Sequence, residues 1–173
     1  DIADVTNDII EKLIYRHPHI YGDVSVSDAD EVKKNWEALK LSEGKESVLE
    51  GVPKGLPALI KAQRMQEKAA GVGFDWNTKD QVWSKFEEEL GELDEALLKD
   101  DTEAIEAEFG DVLFSLINYA RFLKINPESA LERTNQKFIQ RFQFIEAKAK
   151  AQSSSIEKLS LDEMEILWQQ AKN

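Results

Sequence analysis

The sequence predicts an all-α protein, and three observations carry that prediction. Apolar residues recur at helical spacing almost throughout, without the period-two alternation of strands. Glycine and proline are sparse, at 8 and 4 of 173 residues, so the breaks between periodic runs are few. Helix start signals stand at several of the points where those runs begin.

Taken in order, the periodicity predicts helices near 2–15, 28–43, 56–70, 79–99, 102–124, 127–150 and 161–172. The stretch "SEGKESVLEGVPKGLP" reads as a linker between the first two and the rest. Thr78 and Gln81 form a capping box ahead of the fourth helix. Asp101 is placed to cap the fifth. Asn126 can cap the sixth, with Pro127 at its first position. Ser160 and Glu163 form a second capping box, after the polar loop "AQSSSIEK". The segment "EKLIYRHPHI" (11–20) resembles "QKFIQRFQFI" (136–145): each has a Lys, then an apolar residue, then an Arg four after the Lys. The first helix therefore reads as the end of a second copy of the later one.

Composition narrows the function. Asp and Glu number 34 against 22 Lys and Arg, a formal net charge of -12. That balance argues against a nucleic-acid polymer as partner, since such binders carry a basic footprint. It leaves room for a nucleotide held through divalent cations. Cysteine is absent, which removes disulfides and thiolate metal sites. No apolar run is long enough to cross a bilayer, and "DIADVTNDIIEK" is not a signal peptide. The expectation is a soluble cytoplasmic protein with no membrane partner. A start at Asp1 rather than Met reads as a fragment.

The chemistry lies in the acidic run "FEEELGELDEALL", residues 86–98. On a helical wheel, Val82, Phe86, Leu90, Leu93 and Leu97 form an apolar stripe. Glu89 lies beside it and Glu92 one step further round, with Glu88 further out. Glu87 and Glu95 face solvent. On the next helix Ile105, Phe109, Val112, Leu116, Ala120 and Leu123 make the core face, flanked by Glu108 and Asp111. The connection at Asp100–Asp101 is so short that the two helices are antiparallel neighbours. Two acid pairs, each at i and i+3, can then face one another. Four half-buried carboxylates repel unless a cation compensates them, and an all-oxygen site suits Mg²⁺, with Mn²⁺ as the alternative. A di-iron carboxylate bundle would need Glu-x-x-His on two helices. The two histidines, His17 and His19, do not have that spacing and read as a helix-ending turn.

"EELGE" (88–92) followed by "EFGD" (108–111) fits the EExxE…ExxD motif of the all-α nucleoside triphosphate pyrophosphohydrolases. "LPALIKAQRMQEKAAGVGFDW", "GDVLFSLINYAR", "NQKFIQRF" and "LWQQAK" resemble the C-terminal catalytic half of the MazG family, and "KLIYRHPHIYGD" resembles the end of its N-terminal half. The resemblance implies a four-helix-bundle-like catalytic domain over 52–173, preceded by a domain remnant and linker over 1–51, in a helix-packed homodimer. It implies hydrolysis of nucleoside triphosphates to the monophosphate and pyrophosphate. Its metal ligands carry over to Glu89, Glu92, Glu108 and Asp111, with Glu88 or Glu89 orienting or deprotonating the water. Gly91 inside the motif costs helix propensity and reads as a place for close helix approach.

Arg133, Lys137 and Arg141 make a basic row on one helix face. The resemblance assigns Lys137 and Arg141 to phosphate, and Arg133 reads as surface charge. Trp168 reads from the sequence as a core anchor, while the resemblance implies a nucleotide contact. Asn118 is assigned to the sugar or a phosphate, and Trp76 to packing at a helix exit or to a pocket wall. Two rival readings are a helical interaction module without catalysis and the same fold narrowed to dUTP/dCTP or phosphoribosyl-ATP.

Overall fold

The computed structural model describes residues 1–28, 31, 32, 35, 39, 47–151 and 155–172. All regular structure among the described residues is helical. The elements are α1 (Ile2–Arg16), α2 (Pro18–Tyr21), a short 3-10 turn (Val48–Gly51), α3 (Ala58–Gly71), α4 (Lys79–Lys99), α5 (Thr102–Phe122), α6 (Pro127–Ala151), a second 3-10 turn (Ile156–Lys158) and α7 (Leu161–Gln170). The expected helix at 28–43 falls largely outside the described residues. The other six expected helices are present within about two residues of their ends.

Local chemistry accounts for the boundaries. The Thr78 hydroxyl accepts from Gln81 N–H while the Gln81 side chain accepts from Thr78 N–H, which satisfies two donors that begin α4. Ser160 and Glu163 do the same for α7. Asp101 accepts from the N–H groups of Glu103 and Ala104, and Asn126 accepts from Ser129 N–H at 2.8 Å. The α4–α5 turn is tight because Asp100 takes the left-handed conformation, φ 53°, directly before that cap. His17 ends α1 and Pro18 begins α2, as expected of a helix-ending turn.

Contacts gather the chain into two compact units, Asp1–Lys124 and Ile125–Asn173. The expected border at 51/52 lies inside the first. In that unit α4 and α5 pack along their lengths as an antiparallel hairpin, and α3 packs on α5. Trp83 of α4 meets Tyr119 of α5 with ring centroids 5.0 Å apart, which sets the register. The second unit packs α7 and the second 3-10 turn on α6, with Ile145 and Ala149 buried.

The buried lines differ from the wheel. In α4 the buried residues are Val82, Glu89 and Ala96, each seven apart, while Leu90 and Leu97 are exposed. In α5 they are Val112, Ser115 and Ile117, while Phe109, Leu116 and Leu123 are exposed. A wheel centres on the mean of all apolar positions, whereas one neighbouring helix covers only the narrower line that it touches. Glu89 therefore lies in the helix contact rather than beside it. Nothing lies within 4 Å of a Cβ built on Gly91, so no helix of this chain approaches there among the described residues.

A candidate metal centre and the cavity beside it

The α4–α5 hairpin brings its acids together unequally. Carboxylate oxygens of Glu89, Glu108 and Asp111 all lie within 4.8 Å of one another. One hard divalent cation can be shared over that reach, with metal–oxygen distances of about 2.0–2.6 Å. Glu89 is buried, Glu108 half-buried and Asp111 exposed, so the group opens to solvent at its Asp111 side. The donor set fits a hard cation: oxygen only, from two helices. Glu92 is exposed at the rim and outside this trio. Desolvation first, then the charges of Glu89 and Glu108, raise its carboxyl above the ordinary glutamate range. Glu92 thus shares the field of the cluster.

Lys85, one turn before Glu89 on α4, answers part of that charge. Its Nζ lies 2.7 Å from Glu89 Oε1 and 2.9 Å from Glu88 Oε1. The hydrogen bond to Glu89 and then that to Glu88 hold its pKa above the usual lysine range. Glu88 itself is exposed and is tied to the cluster through this ammonium. Glu87 is exposed, as expected, and accepts from Trp83 Nε1 at 2.9 Å.

A cavity of about 570 Å³ adjoins the acids, bounded by α3, α4, α5 and the loop after α3. Glu89, Asp111 and Lys85 line it, along with the apolar Met65, Val82 and Phe114. The loop is aimed by a Schellman motif at the end of α3: Phe74 N–H donates to Ala69 and Gly73 N–H to Ala70, both at 3.0 Å, with Gly73 at φ 89°. This places Asp75 and Trp76 on the cavity wall, the second of the two roles expected for Trp76. Asp75 is gripped by Arg121 through both carboxylate oxygens, one bond at 2.9 Å. Arg121 also donates to Asn118 Oδ1 from Nε at 3.0 Å and from Nη2 at 2.8 Å. Asn118 therefore stands in the cavity wall with its oxygen given to Arg121.

In the second unit, the Arg141 guanidinium lies over the Trp168 ring, 5.4 Å from its centroid, and Phe138 meets the same ring at 5.3 Å. Trp168 is half-buried among these neighbours. Lys137, one turn before Arg141, is exposed, and so is Arg133.

The wheel did not find Lys85, Gln66 or the Asp75–Arg121 pair. Lys85 could have been found from its i,i+4 spacing to Glu89. The 46-residue separation of Asp75 and Arg121 leaves no local signal.

A family model for the MazG nucleotide pyrophosphohydrolase domain matches residues 77–144, a span that holds both acid pairs. The chain is 42% identical over 174 residues to the Thermotoga maritima nucleoside triphosphate pyrophosphohydrolase/pyrophosphatase MazG, covering 99% of this chain and 66% of that protein. It is 37% identical over 180 residues to the Escherichia coli nucleoside triphosphate pyrophosphohydrolase, covering 99% and 68%. A Bacillus subtilis protein named YabN is 46% identical over 175 residues, 99% of this chain and 36% of that protein. The chain thus spans about two thirds of the length of the first two relatives.

Proposed function

The chain belongs to the MazG nucleotide pyrophosphohydrolase family, and from that premise we propose that its residues 52–173 hydrolyse nucleoside or deoxynucleoside triphosphates to the monophosphate and pyrophosphate. One observation carries the reading: Glu89, Glu108 and Asp111 converge from two helices at the edge of a cavity large enough for a nucleoside. An interaction module would have no need to bury Glu89 among other carboxylates.

Glu89, Glu108 and Asp111, with Glu92 at the rim, would hold Mg²⁺, or Mn²⁺ in its place. Bound there, the cation supplies neutralisation of the charge that develops on phosphate oxygens. Glu89 or Glu88 orients the attacking water and takes its proton. Lys85 fixes both of these carboxylates in place, since its ammonium donates to each. Lys137 and Arg141 supply cations for phosphate oxygens. Trp168 and Asn118 serve nucleotide binding, Asn118 through the side-chain nitrogen that Arg121 leaves free.

The exposed apolar residues Leu97, Leu98, Phe109 and Leu113 of the hairpin support a helix-packed homodimer. No helix among the described residues is long and apolar enough to cross a membrane.

The deciding experiment is a product assay across the common ribo- and deoxyribonucleoside triphosphates with Mg²⁺. Pyrophosphate and the monophosphate should appear together. Orthophosphate as the first product would reject the reading.

A further inference from the structure

Gln66 sits on α3, is only 7% exposed, and lines the cavity. Its Nε2 donates to the backbone carbonyl of Phe114 on α5 at 2.8 Å. A carbonyl only accepts, so this bond fixes which end of the amide faces α5. The other end, Oε1, is buried and has no hydrogen-bond partner among the described residues. An unpaired buried acceptor is costly, and such groups in folded proteins are normally met by a donor. The neighbouring Ser115 hydroxyl is also buried and donates its proton to the Val112 carbonyl at 2.9 Å. Ser115 thereby keeps only accepting capacity. This wall of the cavity offers acceptors set in an apolar surround of Met65, Ala69 and Val82, and so suits a ligand that brings a donor.

The helix itself measures where along the ligand that donor lies. Phe114 is three residues beyond Asp111, about 4.5 Å along α5, and Arg121 is ten residues beyond, about 15 Å, at 1.5 Å per residue. If the phosphates lie at the acids, the first turn along the helix is the depth of the sugar. The base lies deeper, toward Trp76 and Arg121. A ribose hydroxyl is the donor that a nucleotide carries at the first of these depths.

We propose that Gln66 is a specificity-determining residue, whose Oε1 accepts a hydrogen bond from a ribose hydroxyl of the bound nucleotide. The proposal rests on the nucleoside triphosphate reading above and deepens it. It is tested by calorimetric binding of adenosine monophosphate, its 2′-deoxy analogue and its 3′-deoxy analogue to the full chain. None of these requires hydrolysis. The native protein should bind one of the deoxy analogues at least about tenfold more weakly than the parent. In Gln66→Met, a swap of similar volume, that ratio should fall to about one, with the parent nucleotide weakened to the level of the analogue.

Equal binding of all three nucleotides by the native protein overturns the proposal. So does a ratio that survives in Gln66→Met, or an equal loss for all three, which would mark a purely structural role. Gln66→Leu, which also removes the Oε1 acceptor, serves if the Met variant does not fold. An unchanged ratio there rejects the proposal as well. Pyrophosphate release from ATP with no effect on the ratio rejects the Gln66 assignment alone. Absence of pyrophosphate from every triphosphate rejects the reading on which it rests.

Discussion

The α4–α5 hairpin and the α6–α7 segment handle charge in opposite ways. In the hairpin, Glu89 is buried in the helix contact, with Glu108, Asp111 and Glu92 pressing their own charge on the same space. Lys85 is the lysine within reach, and one ammonium cannot balance four carboxylates. In the α6–α7 segment, Lys137 is exposed and Arg141 lies against the Trp168 ring with no carboxylate beside it in any described ion pair. Water and an aromatic face solvate those cations cheaply. The hairpin thus gathers negative charge that a bound cation would relieve, whereas the α6–α7 cations cost the fold little. Their loss should be felt in function but not in stability.

Four sets of variants would break or sharpen that contrast. Asp111→Asn or Glu108→Gln should lower hydrolysis by about a thousandfold or more while the far-ultraviolet helical signal stays intact. Mg²⁺ should stabilise the native protein by about 2.7 kcal/mol at one hundred times the dissociation constant, and the same variants should lose the accompanying rise in melting temperature. Full activity in either variant would end the metal reading. On the other side of the contrast, Lys137→Ala or Arg141→Ala should lower kcat/KM by about 10–100-fold, as expected for a lost charged hydrogen bond, with stability within about 0.5 kcal/mol of native. A large stability loss would show that the basic row is structural after all.

Arg121→Lys comes next. The Arg121 and Asp75 side chains are 17% and 28% exposed, and a lysine cannot reproduce the fork that grips both Asp75 oxygens and Asn118. Denaturant unfolding should show a loss of about 1–2 kcal/mol, and an unchanged midpoint would show the pair to be ornamental. The smallest effect is at Gly91. With open space around a Cβ there, Gly91→Ala should stabilise the metal-free monomer by about 0.5–1 kcal/mol. Destabilisation instead would show that a second copy approaches the helix at that point.

The acid range offers one further check on the α7 cap. Hydrogen bonds from the Ser160 backbone and side chain hold the Glu163 carboxyl below the usual glutamate range. A lowered folded-state pKa adds stability above the unfolded value, and that stability is lost as pH falls through the folded one. Ser160→Ala should therefore shrink the acid sensitivity of α7 while costing about 1 kcal/mol near neutral pH.

Much of this was legible in the sequence because the rules that set it are local. A capping box needs only residues three apart, so Thr78–Gln81 and Ser160–Glu163 could be read directly and mark the starts of α4 and α7. The spacing of Glu108 and Asp111 placed both on one face of α5 without any knowledge of the fold, and the short Asp100–Asp101 turn required the two acid pairs to be neighbours. Leu90 and Leu97 were misplaced because a wheel weighs every leucine equally and cannot know which side a partner helix will cover.

The sequence by itself determined the described helices, their ends and the nearness of Glu89 to Glu108 and Asp111, since each depends on chemistry within one or two turns or on one short connection. The tertiary structure alone decided that Glu89 and not Leu90 is buried, that Asp75 meets Arg121, and that Gln66 reaches Phe114 across 48 residues of chain. These depend on the exact line along which α3 and α4 settle on α5. Packing of many weak contacts sets that line, and no short pattern in the chain records it.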